Sequence, residues 1–151
     1  MPDFSRILKA ETPLTLASVA RGAQPLVLAD LARASKGRLV FVAPDDAAMR
    51  AVSEAALYFA PELETIDFPA WDSLPYDRAS PALAVSARRL AALHRLQQKP
   101  AGPQLVVTTI NALIQRVLTP FRVRETVREF KPGTEIGMDS LAALLRRQGS
   151  C

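Results

Sequence analysis

Two stretches decide the fold class: Arg38-Leu39-Val40-Phe41-Val42-Ala43 and Gln104-Leu105-Val106-Val107-Thr108-Thr109. Each is a nearly continuous apolar run of strand length, the pattern of a strand buried on both faces of a parallel sheet. Leu63–Phe68 reads as a weaker strand between them. The segments separating the three carry helical periodicity. Strand and helix therefore alternate, and the expected fold class is α/β, a parallel sheet flanked by helices.

The helices have recognisable ends. Over Leu26–Ser35, Leu28, Leu31 and Ala32 share one face, and Lys36-Gly37 forms a stop. Pro44 cannot continue a strand, and Asp45-Asp46 supply an N-cap for a helix with Met49, Val52, Ala56 and Phe59 on its apolar stripe. Pro61 ends that helix. Ala82–Gln98 is the longest helix, with Val85, Leu90, Leu93 and Leu96 on its core side, and Pro100–Pro103 breaks it. Asn111–Val117 reads as a short helix ended by Pro120. Residues 13–20 read as a short helix or an extended lead-in, closed by Arg21-Gly22.

After Pro120 the texture changes. Phe121-Arg122-Val123-Arg124 alternates apolar with basic residues, which suits a half-exposed strand. Lys131-Pro132-Gly133 forms a turn. Met138–Gln148 is an amphipathic helix with Leu141, Leu144 and Leu145 inward and Asp139 near its start. With no later element for that helix to pack on, the sequence reads as a fragment that enters a small α+β domain at its end.

Composition narrows the function classes. The chain has 151 residues, 49% hydrophobic and 23% charged, the balance of a folded globular protein. Its one cysteine, Cys151, and its one histidine, His94, exclude a disulfide framework, a Cys/His zinc site and a His-based triad. Apolar runs are too short to span a membrane, and Asp3, Arg6 and Lys9 interrupt any signal-peptide core. A soluble, reducing setting is expected. The net charge of +4 is spread along the chain and defines no nucleic-acid face.

Chemistry-bearing patterns are sparse. A phosphate-binding loop needs several glycines and a Lys-Ser/Thr pair. Arg21-Gly22-Ala23-Gln24-Pro25-Leu26-Val27-Leu28 offers one glycine, no lysine, no hydroxyl, and a proline that removes an N–H donor. At Ala43-Pro44-Asp45-Asp46 two carboxylates would repel phosphate, and they read as a cap and a dipole partner rather than an acid/base pair. His94, Arg88, Arg89 and Arg95 read as a solvated helix face, with surface or salt-bridge roles for Arg88 and Arg89. Ser35, Ser53, Ser80 and Ser86 have no nucleophile-elbow context. No catalytic, cofactor-binding or metal-binding residue is assigned. The segment 69–81 is the most unusual, with Pro69, Pro75 and Pro81 among Trp71, Leu74 and Tyr76. It reads as a loop laid on the sheet by aromatic anchors, with a partner-binding tip as the alternative.

That segment carries a resemblance. Phe68-Pro69-Ala70-Trp71-Asp72-Ser73-Leu74-Pro75-Tyr76-Asp77, with Ser80-Pro81 and Arg88-Arg89-Leu90 and Leu93 after it, resembles the N-terminal region of bacterial transcription-repair coupling factors. Thr108–Val117 is similar to the family's next signature. Lys131-Pro132-Gly133-Thr134-Glu135-Ile136, with the helix at Leu141–Leu145, is similar to the one after. The resemblance runs in order from about Arg21 to Gly149, and its Trp-Asp-x-Leu-Pro-Tyr-Asp string is its most specific part.

The resemblance implies a bacterial, cytoplasmic, ATP-driven double-stranded DNA translocase that displaces stalled RNA polymerase and recruits UvrA for nucleotide-excision repair. It implies that residues 1–121 are a UvrB-like first domain of helicase type with a degenerate P-loop. Residues 122–151 would open the UvrA-binding domain. ATP and magnesium would belong to motor domains elsewhere in the parent protein, so this fragment would be no enzyme and would bind no cofactor. Arg122, Arg124 and Arg128 lie outside the matching motif and receive no role. The alternatives are a partial helicase-like domain that binds single-stranded DNA through a basic, aromatic-bearing cleft at the strand C-terminal ends, and a free-standing adaptor.

Overall fold

The computed structural model describes residues 4–35, 37–73, 81–127, 133 and 135–148. Among them three strands, β1 (Arg38–Ala43), β2 (Glu64–Phe68) and β3 (Gln104–Thr109), pair in parallel in the spatial order β1-β3-β2. The helices are α1 (Phe4–Leu8), α2 (Gln24–Ala34), α3 (Asp46–Phe59), α4 (Leu83–Gln97), α5 (Ile110–Ile114), α6 (Pro120–Thr126) and α7 (Met138–Gln148). The α/β class follows the sequence pattern.

Strand order dictates where the helices lie. α3 carries the chain from β1 past the central position to β2, and α4 brings it back to β3. Two crossovers of one hand running in opposite directions must cover opposite faces. Accordingly α2 and α3 pack Ala29, Ala32, Met49, Val52 and Ala56 against Leu39, Phe41, Leu105 and Val107. On the other face α4 packs Ala92, Leu93 and Leu96 on Ile66, Phe68 and Val106.

The central strand β3 is buried along its whole length, as its sequence requires. β1 departs from the same expectation. Val40 and Val42 remain 55% and 42% exposed, because they share the face of their register partners Val106 and Thr108, and α4 packs on β2 and on Val106 rather than over these two valines. One face of β1 is covered and the other is open among the described residues.

The segment after Thr119 also differs from the sequence reading. Phe121–Arg124 is no strand: it lies in α6, which begins with Pro120 in its first turn, where the missing N–H costs nothing. The Thr119 hydroxyl accepts the Arg122 N–H at 3.4 Å, and Val123 is 1% exposed on a helix packed against α4. A single inward residue every turn satisfied both periods, and the Thr-Pro start decides for helix. Pro120 therefore opens a helix, while α5 ends early, at Ile114. The division expected between residues 121 and 122 falls within α6.

The remaining ends are local. Residues 13–20 form neither helix nor strand, and a 3-10 turn at Arg21–Ala23 leads into α2. Gly133 has φ of +87°, the left-handed conformation that glycine adopts freely. Lys131, Pro132 and Thr134 lie outside the described residues, as do the side chains of Leu144 and Leu145.

Candidate functional site

The C-terminal ends of the strands gather the residues that the sequence marked as unusual. After β2 the chain turns through Pro69 and Ala70 to Trp71, which is half-buried. The guanidinium of Arg89, from the second turn of α4, lies 4.4 Å from the Phe68 ring centroid and 4.5 Å from that of Trp71. Its Nη1 donates to the Pro69 carbonyl at 2.5 Å and to Gln115 Oε1 at 3.2 Å. The same Gln115 oxygen accepts the Trp71 backbone N–H at 2.8 Å. Thr108 Oγ1 donates to the Phe68 carbonyl at 2.8 Å, and the Asp72 carboxylate accepts the Ala82 N–H at 3.1 Å. Two ring contacts and five hydrogen bonds thus fix the path of Phe68–Asp72 onto β3, α4 and the end of α5.

Arg89 overturns its sequence reading. It is 2% exposed, in no ion pair among the described residues, and desolvation lowers its pKa below the ordinary arginine value. The signal was present in the sequence: positions 89, 92, 93 and 96 follow the i, i+3, i+4, i+7 spacing of one helix face. Arg89 heads the stripe completed by Ala92, Leu93 and Leu96. Val85, Leu90, Leu93 and Leu96, expected as the core side, are half-buried, and the centre of contact belongs to Arg89 and Ala92. Arg88 is exposed, as read.

The other singled-out residues serve the fold. Asp45 caps α3, its carboxylate accepting the Ala48 N–H at 2.7 Å, and Asp46 occupies the first turn beside it. Ser35 accepts the Gly37 N–H, and Ser53 donates to Asp67 at 2.5 Å across α3 and β2. Ser86 lies half-buried on α4, and Ser80, Leu74 and Tyr76 lie outside the described residues. His94 contacts Gln98 through its Nε2 at 3.0 Å. Gly22–Leu28 follows no strand among the described residues and forms the 3-10 turn and first turns of α2. Among the described residues no group of His, Cys, Asp and Glu is arranged to hold a metal ion, and no helix is long and apolar enough to cross a membrane.

Sequence reasoning missed a second polar cluster, at the opposite end of the sheet. There Arg38 Nε donates to Gln104 Oε1 at 2.6 Å, while Glu64 accepts from both Gln104 and Arg95. These hydrogen bonds, that of Gln104 first, hold the Glu64 carboxyl below its ordinary pKa against an opposing desolvation. The cluster joins the starts of all three strands to the end of α4. Its hydrogen bonds join residues 31 to 66 positions apart in the chain, so no local pattern announces it.

Comparison with known proteins gives one consistent answer. No family model matches the chain. It is 35% identical over 131 residues to the transcription-repair-coupling factor of Myxococcus xanthus, which covers 82% of this chain and 11% of that protein. Its relatives are transcription-repair coupling factors. The protein of that name from Haemophilus influenzae is 29% identical over 137 residues, 89% of this chain and 11% of its own length. The Escherichia coli one is 25% identical over 152 residues, 99% of this chain and 13% of its own length. The chain therefore corresponds to a small part of each coupling factor, and that part includes the Arg89–Trp71 cluster and all three strands.

Proposed function

We propose that this chain acts as a UvrB-like N-terminal module of a transcription-repair coupling factor: a non-catalytic scaffold in a bacterial cytoplasmic protein that couples transcription to DNA repair. The observation that carries this reading is the extent of the likeness, 82% to 99% of the chain against three coupling factors. In this reading residues 1–121 form the first domain, of helicase type, and 122–151 begin the UvrA-binding domain, with α6 as the joint. UvrA, stalled RNA polymerase and double-stranded DNA are partners of the whole factor, whose motor domains would use ATP and magnesium.

The local chemistry supports a scaffold. A triphosphate at the turn after β1 would need free N–H groups at the start of α3. There Asp45 already accepts the Ala48 N–H, and Asp46 adds a second negative charge. These residues do not fit a nucleotide, and Gly22–Leu28 lacks the strand-to-helix turn such a loop requires. The single-stranded DNA alternative needs an exposed cation beside its aromatics. The arginine that stands there, Arg89, is buried.

Calorimetry of the purified chain with ATP and magnesium tests the reading, followed by capture of UvrA on a longer coupling-factor chain that includes this segment. No binding heat in the first and specific capture in the second are expected. Saturable nucleotide binding by this chain would overturn the scaffold role.

A further inference from the structure

Arg89 carries a cost that its surroundings offset only in part. Its guanidinium is 2% exposed, no carboxylate pairs with it among the described residues, and its buried Nη2 has no hydrogen-bond partner. A buried cation without a counter-ion pays most of its desolvation unrelieved. What holds it are two ring faces, one carbonyl and one side-chain amide. That amide is shared, because Gln115 Oε1 also carries the Trp71 N–H. Removing the ring of Trp71 from the guanidinium would return the cation to water, so separation is cheaper here than at an apolar contact of equal area.

We propose that Arg89 and Gln115 form a releasable clasp on the Pro69–Ser73 segment, which opens as a unit while the sheet and helices stay folded. The clasp touches this segment at one carbonyl, one N–H and one ring, and the exposed Asp72 carboxylate adds a bond from the Ala82 N–H that opening exchanges for water. Phe68 next to it, by contrast, is fixed within β2, bonded through its carbonyl to Thr108 and 6% exposed. The hinge therefore falls between Phe68 and Pro69. Opening at this point exposes an indole and a guanidinium together at the C-terminal end of the sheet, where α/β folds present their binding groups. The proposal depends on this cluster alone and not on the role assigned to the chain.

Trp71 is the single tryptophan, so its fluorescence reports the clasp, while far-UV circular dichroism reports the sheet and helices. In urea titrations of the 151-residue chain, the Trp71 red shift and its quenching by iodide are expected to rise before the dichroism falls. Arg89→Met, which fills similar space without the hydrogen bonds, is expected to show severalfold stronger iodide quenching in native buffer with an unchanged dichroism spectrum. Gln115→Ala leaves Arg89 between its rings but removes the shared acceptor. It is expected to lower the urea midpoint seen by Trp71 and leave that seen by dichroism in place. Coincident fluorescence and dichroism transitions in the wild-type chain would overturn the clasp. So would Trp71 as shielded in Gln115→Ala as in wild type, a result that stands even where Arg89→Met fails to fold.

Discussion

Arg38, the first residue of β1, donates from Nη1 to the carbonyl oxygen of Leu96 at 2.5 Å, near the end of α4. The same guanidinium reaches the carbonyls of Arg95 and Gln98 and the side chain of Gln104. The last carbonyls of a helix have no partner within it, and a cation there also meets the negative end of the helix dipole. One side chain thus closes α4 and ties it to the starts of β1 and β3.

Arg38→Ala removes this donor from the Leu96 and Gln98 carbonyls, leaves the Arg95 carbonyl to the Gln98 N–H, and takes from Gln104 one of its partners. Charge-assisted hydrogen bonds of this kind contribute about 2 kcal/mol in sum once competition with water is counted. Urea unfolding is expected to show a lower midpoint with an unchanged slope. Arg38→Lys restores charge without the planar fork and is expected to recover only part of the loss. A wild-type midpoint in Arg38→Ala would mean that α4 ends equally well on water.

Glu64 gives the fold a pH dependence with a definite sign. Its carboxyl is held below the ordinary value, chiefly by the Gln104 hydrogen bond and then by Arg95. A carboxyl with a lowered folded pKa contributes stability that is complete above its unfolded value, about 4.3 for glutamate. That contribution is lost as pH falls through the folded value. The thermal midpoint of wild type over Glu64→Gln is therefore expected to be largest near neutral pH and to shrink below about pH 4. A difference that stays constant down to pH 3 would remove Glu64 from the acid sensitivity.

How much was legible depended on the range of the interaction. Strand identity and the Asp45 cap lie within one element, and the sequence reading of both agrees with the structure. The Arg38–Glu64–Gln104 cluster joins distant segments, so it had to wait for the register that places residues 38, 64 and 104 side by side. Arg89 sat on a legible stripe but was assigned by residue type, since arginine is so rarely buried without a pair. Phe121–Arg124 was ambiguous because a single buried residue, Val123, fits a strand or a helix. The Thr119-Pro120 start, a boundary signal, outranks alternation over four residues.

The uneven burial of the sheet predicts unequal costs for the same truncation. Val107 is fully buried in β3, and Val107→Ala removes two methyl groups from a packed interior, at about 2–3 kcal/mol. Val42 is 42% exposed on the uncovered face of β1, and Val42→Ala is expected to cost under about 1 kcal/mol. Equal losses in urea unfolding would show that the Val42 face is covered in solution.

Asp45 and Asp46 offer a last separation, between a cap and a reactive pair. The Asp45 carboxylate accepts a backbone N–H, which is the work of an N-cap, while Asp46 stands in the first turn, where its charge meets the helix dipole. Asp45→Ala is expected to cost about 1 kcal/mol, and Asp45→Asn, which keeps an accepting oxygen, very little. Asp46→Ala should lose only about 0.5 kcal/mol, a loss that added salt would erase. For a chain of this size the Asp45→Ala change corresponds to a fall of roughly 3 °C in the thermal midpoint. If Asp45→Asn were as damaging as Asp45→Ala, the negative charge rather than the accepting oxygen would be what α3 requires, and the dipole would displace the cap as the reason for two adjacent carboxylates.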